Sequence, residues 1–169
     1  MAKQAALAAA LLALVPVGAS AQSVNPPAQI VEAAADCWAA VGETSVDQQA
    51  LVAKGWKASE FKAKGKPVET PLRFYSKAKS GVMLMVLPGG KSPACTVMSR
   101  VGGEPAYRQL VSLLLQRLKS IQPGLKAGPG GDKGAAFIGG NRVALLEATG
   151  TKAAPAARII VGYSASEKK

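Results

Sequence analysis

Histidine is absent from all 169 residues, and cysteine occurs only twice. The first absence removes a whole chemical vocabulary. Without imidazole there is no Ser–His–Asp or Cys–His nucleophile pair, no histidine general base and no histidine metal ligand. Acidic residues are also scarce, with 10 Asp and Glu against 21 Lys and Arg, a formal charge of +11. No D-x-D or E-x-x-E cluster gathers the carboxylates for acid–base work or metal binding. Aromatics make up only 5% of the chain. Composition leaves a serine–lysine dyad open, since both residue types are plentiful.

What is present begins with the N-terminus. Lys3 is followed by an apolar run of 11 residues from Ala5 to Val15, then Pro16, Gly18 and the small-residue pattern Ala19-Ser20-Ala21. This is the three-part grammar of a secretory signal peptide. The run is too short to span a bilayer, which takes about 20 apolar residues. The reading is export to the periplasm or beyond, with residues 1–21 removed and no transmembrane anchor left after cleavage. Export makes a disulfide between Cys37 and Cys95 the expected state. No C-x-x-C spacing suggests a redox pair. Two oxidised cysteines also leave no thiolate zinc site.

Residues 22–27 read as an extended leader and 28–163 as a single domain, with a polar tail at 164–169. A first helix is expected from about Ala28 to Val41, with Ile30, Ala34, Cys37 and Val41 on one stripe. Ser45, with Gln48 three residues on, reads as the capping box of a second helix ending near Gly55. Strand alternation follows in "PLRFYSKA", in "GVMLMVL" and, after the turn "PGGKSP", in "ACTVMSRV". A third helix runs from about Glu104 to Ser120, its buried face marked by Tyr107, Leu110, Val111, Leu114, Leu118 and Ile121. "LKAGPGGDKG" reads as a loop, and three short strands close the chain near 135–139, 142–148 and 157–163. The expected fold is α+β: two layers, an antiparallel sheet of about six strands, and helices packed on one face. Its order is α-α-β-β-β-α-β-β-β, which hints at a doubled α-βββ unit.

The spacing C-x9-D-x3-L-x3-G-W from Cys37 to Trp56, followed later by C-T-V at Cys95, resembles a pattern in uncharacterised exported proteins of alphaproteobacteria. The resemblance covers about the first half of the exported chain. It implies the compartment and the disulfide, and no activity.

"GGKS" at residues 89–92 is not a phosphate loop, because the first glycine of that motif would fall at Met85 and Pro93 follows instead of a helix. Charge is concentrated in Lys54, Lys57, Lys62, Lys64, Lys66, Arg73, Lys77 and Lys79, opposed within that stretch only by Glu60 and Glu69. These residues are a candidate surface for an anionic envelope component such as lipopolysaccharide or acidic phospholipid. Lysines guarding an edge strand are the plainer reading. Nucleic acid fits the charge but not the exported compartment. Beyond the signal segment the methionines are Met83, Met85 and Met98, all on one expected hairpin. If Met83 pairs with Met98, Cys95 and Val97 face the helices while the three thioethers share the other face. That face is a candidate for a partner protein, a second copy of the chain or, least favoured, Cu(I). The expected role is an exported, non-catalytic binding or accessory protein of the cell envelope, needing no cofactor. One form of it is an inhibitor that docks the "PGGKSPA" turn. A small-molecule carrier and a histidine-free enzyme are the alternatives.

Overall fold

The computed structural model describes residues 24–60, 62–63, 66–67, 70–90, 92–131 and 134–164. The signal segment 1–21, the start of the leader, Lys64 and the tail beyond residue 164 lie outside the described residues.

Helix α1, Pro27–Ala40, starts with proline at its first position, where no N–H is needed. Six alanines in fourteen residues favour the helix and keep its buried side thin enough to lie close on a sheet. Helix α2, Gln48–Ala53, is one and a half turns long. Asp47 caps it, its carboxylate accepting from the Ala50 amide at 2.9 Å. The capping box expected at Ser45 does not form. Ser45 and Val46 instead make β-bridges to Gly89 and Val41, so their backbone is committed elsewhere. Helix α3, Glu104–Ile121, follows Gly103, whose φ of 91° is open to glycine and costly for other residues. Leu110, Leu114 and Leu118 form its buried stripe. Ile121, expected in that stripe, is 39% exposed because the helix ends there and the chain turns away at Gln122.

Between α2 and α3 the strands are β1 (Lys57–Ser59), β2 (Lys62–Ala63), β3 (Lys66–Pro67), β4 (Arg73–Ser76), β5 (Met83–Leu87) and β6 (Ala94–Arg100). After α3 come β7 (Lys126–Pro129), β8 (Gly134–Gly139), β9 (Arg142–Thr151) and β10 (Ala154–Tyr163). Apart from the small β2–β3 hairpin they form one antiparallel sheet of eight strands, ordered β1-β4-β5-β6-β10-β9-β8-β7. The expectation of about six strands, three before α3 and three after it, is corrected. The strands it lacked at the sheet's margins are β1 and β7. Both are exposed along their whole length, so neither carries an apolar alternation. The sheet order has an internal echo. Each half is a meander preceded by a helix, and the last strands of the two halves, β6 and β10, meet at the centre.

The core lies between the sheet and the helices α1 and α3. Leu84, Val86, Cys95, Val97, Ile159, Val161, Ala144 and Leu146 are all 0% exposed and belong to one packed cluster with Ile30, Trp38, Leu110 and Leu114. The disulfide Cys37–Cys95 joins α1 to β6 through this layer, its Cα atoms 5.5 Å apart. Gly139 marks the closest approach at the β8 end. A Cβ there would meet Gln122 Cγ at 2.6 Å and Trp38 Cζ2 at 3.2 Å. The segment before α1 is knitted in as well. Buried Asn25 donates from Nδ2 to Ser99 Oγ at 2.9 Å and accepts from the Gly81 amide at 3.0 Å.

Candidate functional site: the open face of the sheet

Directly paired residues on antiparallel strands share a face. Because Cys95 is tied to α1, alternation turns Ala94, Thr96, Met98 and Arg100 to the side away from the helices. Registers extend that assignment across the sheet. One row runs Phe74, Met85, Thr96, Ile160, Leu145, Ala136. The row beside it is Ser76, Met83, Met98, Arg158, Glu147. On the other flank stand Leu87, Ala94, Gly162, Val143, Ile138 and Lys126. The surface is therefore largely apolar, yet neither α1 nor α3 packs on it. Met83, Met98 and Ile138 are 37%, 39% and 50% exposed.

The three methionines do share this face. Met83 and Met98 are cross-strand partners, and Met85 stands one row along beside Thr96. Charge on the face is uneven. Lys57 on β1 and Lys126 on β7 lie at its two margins, with Arg100 and Arg158 between them. Among the described residues of its rows Glu147 is the one acid, and it is already engaged. Arg158 donates to its Oε2 from Nε at 2.9 Å and from Nη2 at 2.6 Å.

The basic stretch is divided by the fold. Lys57 joins the open face through its pairing with Ser76. Arg73 is on the opposite side, in step with Tyr75. Lys54 closes α2, and Lys62 and Lys66 belong to the β2–β3 hairpin. Lys77 lies over the Trp56 ring, Nζ 5.6 Å from its centroid, and Lys79 sits in the β4–β5 turn. Lys64 falls outside the described residues. The eight cations thus do not form one plane. Lys77 and Lys79 instead line a cleft of about 430 Å³ beside α1, with Gln29, Glu32, Asp36 and Trp56. Its central contact is structural: the indole N–H of buried Trp56 donates to Asp36 Oδ2 at 2.9 Å.

Two groups have resolved shifts in acidity, and both lie on the core side. Burial pushes the Tyr75 hydroxyl above the ordinary tyrosine range, with Arg73 opposing. Tyr75 donates to Gln48 Oε1 at 2.7 Å. Burial, then Glu104 and Glu147, raise Tyr107. Neither sits beside a nucleophile. The spacing Ser-x-x-Lys occurs at Ser59–Lys62, at Ser76–Lys79 and, outside the described residues, at Ser166–Lys169. Ser59 and Ser76 are the last residues of β1 and β4, their hydroxyls meet each other at 3.2 Å, and Lys79 lies in the turn beyond β4. Among the described residues no three His, Cys, Asp or Glu side chains converge as a metal site, and both cysteines are in the disulfide. No described helix is long and apolar enough to cross a membrane.

Sequence reasoning missed Arg100 and Asn25. Arg100 reads as an ordinary outward residue of an alternating strand, and Asn25 lies in a leader with no periodicity. No family model, no curated protein and no solved structure matches this chain.

Proposed function

We propose that this protein is an exported, non-catalytic binding module of the cell envelope, and that the open face of its sheet is the binding surface for acidic phospholipid. The face away from α1 and α3 carries the reading: exposed Met83, Met98 and Ile138 lie within a frame of cations whose only described acid is already paired. Apolar side chains favour the acyl boundary of a bilayer, and the surrounding lysines and arginines favour anionic headgroups. Methionine suits such a surface because its flexible thioether adapts to irregular partners. The same charge disfavours a second copy on this face, since Lys57, Lys126 and Arg100 would be brought against their own counterparts. The disulfide, the signal-like N-terminus and the resemblance to exported proteins support the compartment.

The test is cosedimentation of the mature protein with vesicles of phosphatidylcholine, with and without phosphatidylglycerol. Binding should require the anionic lipid and weaken steeply as the Debye length falls from about 10 Å at 0.1 M salt to about 3 Å at 1 M. Met98→Asp should reduce binding while leaving the fold intact. Equal binding to neutral and anionic vesicles, or none to either, would overturn the proposal.

A further inference from the structure

Among the described residues the Arg100 guanidinium makes no hydrogen bond or ion pair. Arg100 ends β6 on the open face, next to Ala156 in register and one row beyond Met98. Its Nε is sealed from solvent and has no hydrogen-bond acceptor, and no carboxylate pairs with it. The Nε of Arg117 is likewise buried without a hydrogen bond of its own, but the guanidiniums of the other half-buried arginines have partners. Arg117 reaches Glu32 at 3.1 Å, and Arg142 donates from Nε to the Val41 carbonyl at 2.9 Å. Leaving such a donor buried and unmet is costly, and an acceptor entering the pocket beside it would relieve that cost.

The surroundings say which acceptor. Arg100 lines a pocket of about 140 Å³ with Gly81, Met83, Met98, Thr149 and Ala156. Ligand sites for whole small molecules run to about 300–1,000 Å³, so this one suits a headgroup and not an entire ligand. A guanidinium offers two parallel N–H groups to two oxygens of an anion. Thr149 lines the pocket beside the fork and can supply a further donor out of its plane, where a tetrahedral phosphate monoester has a third terminal oxygen and a planar carboxylate has none. The Met83 and Met98 walls are apolar and lead onto the rest of the open face.

We infer that the Arg100 pocket is a headgroup site for the phosphate monoester of an anionic amphiphile, whose acyl chains lie over Met83 and Met98. This rests on the lipid-binding reading of the same face and adds selectivity to it. Charge attraction alone would treat anionic lipids alike, whereas a fork that takes two oxygens, with Thr149 placed for a third, favours the tetrahedral, more highly charged phosphate monoester over a planar carboxylate.

The experiment compares vesicles containing phosphatidic acid with vesicles containing oleate, at matched surface charge in phosphatidylcholine. The wild-type protein should prefer phosphatidic acid by at least about tenfold, the size of a lost charge-assisted hydrogen bond. Arg100→Gln should bring the two affinities together, and Arg100→Lys, which keeps the charge but loses the fork, should remove most of the preference. Arg158→Gln should weaken both equally. Arg100→Gln should leave the urea midpoint unchanged or raise it, because the guanidinium has no partner to lose, and a large fall would mark Arg100 as structural and overturn the site. Glycerol phosphate, which has the headgroup without the chains, should not displace the protein at equal phosphate concentration, and displacement would overturn the amphiphile. No binding to any anionic vesicle would sink the lipid reading itself. Equal binding of wild type to both vesicles would sink the headgroup site alone.

Discussion

Val97 and Met98 are neighbours in sequence on opposite faces of β6, and a matched pair of truncations there tests whether the open face is truly open. Val97 is 0% exposed, held between Leu84 and Ile159 on the flanking strands and covered by the helical layer. Val97→Ala removes two buried methyl-sized groups, about 0.8 kcal/mol each in transfer terms, and leaves a cavity that a layer tied by a disulfide closes only in part. The expected loss is about 2–3 kcal/mol. Met98→Ala removes a longer side chain, but one already 39% exposed and on the side away from α1 and α3, so about 1 kcal/mol or less should be lost. With a urea slope of about 2 kcal/mol/M, the first substitution should lower the midpoint by about 1 M and the second by less than about 0.5 M. Both tryptophans are buried in the helical layer, Trp38 at 1% and Trp56 at 2% exposure, so their fluorescence reports the transition. If Met98→Ala costs as much as Val97→Ala, the far face is a second core closed by another part of the molecule. The binding proposal would then lose its foundation.

Two further outcomes follow from the core. Protein taken from the envelope should show no alkylatable thiol before reduction, and Cys37→Ala with Cys95→Ala should cost about 4 kcal/mol, since the bridge closes a 58-residue separation; a loss below about 1 kcal/mol would refute the loop-constraint argument. Tyr75 and Tyr107 are both harder to ionise when folded than when unfolded. A raised folded value means their stabilising contribution is complete below the unfolded tyrosine value of about 10 and is lost as pH rises through the folded one. Urea midpoints measured from pH 9 upward should therefore fall more steeply in wild type than in Tyr75→Phe with Tyr107→Phe, and parallel curves would refute it.

Much of this architecture follows from the sequence because it depends on short-range periodicity. Helices α1 and α3 are legible from stripes three and four residues apart, and their boundaries fall within a residue or two of expectation. The β5–β6 pairing is legible too. Alternation leaves two choices for which face is buried, and the cysteine pair removes one of them. The α+β class follows from the same elements. Strands β1 and β7 are different. Each is an edge strand held by backbone hydrogen bonds to one neighbour, β4 or β8, with every side chain exposed, so composition alone marks them as loop. Ser45 carries the right letters for a helix cap, but long-range bridges claim its backbone, and Asp47 takes the role.

The candidate site divides along the same line. A hairpin carrying three methionines can be read from the chain, because local alternation places them together. That neither α1 nor α3 covers their face cannot be read there. It depends on both helices packing on the same side, which is settled only when the two halves of the sheet join at β6 and β10. The basic stretch looks continuous in sequence, yet the fold sends Lys57 to one side and Lys77 to the other, because strand pairing and the Trp56 contact act on each residue separately. Arg100 is the clearest case. Its chemistry is evident from its name, but its lack of a partner is a property of everything around it. Such an absence is fixed by packing in three dimensions, and no window of sequence contains it.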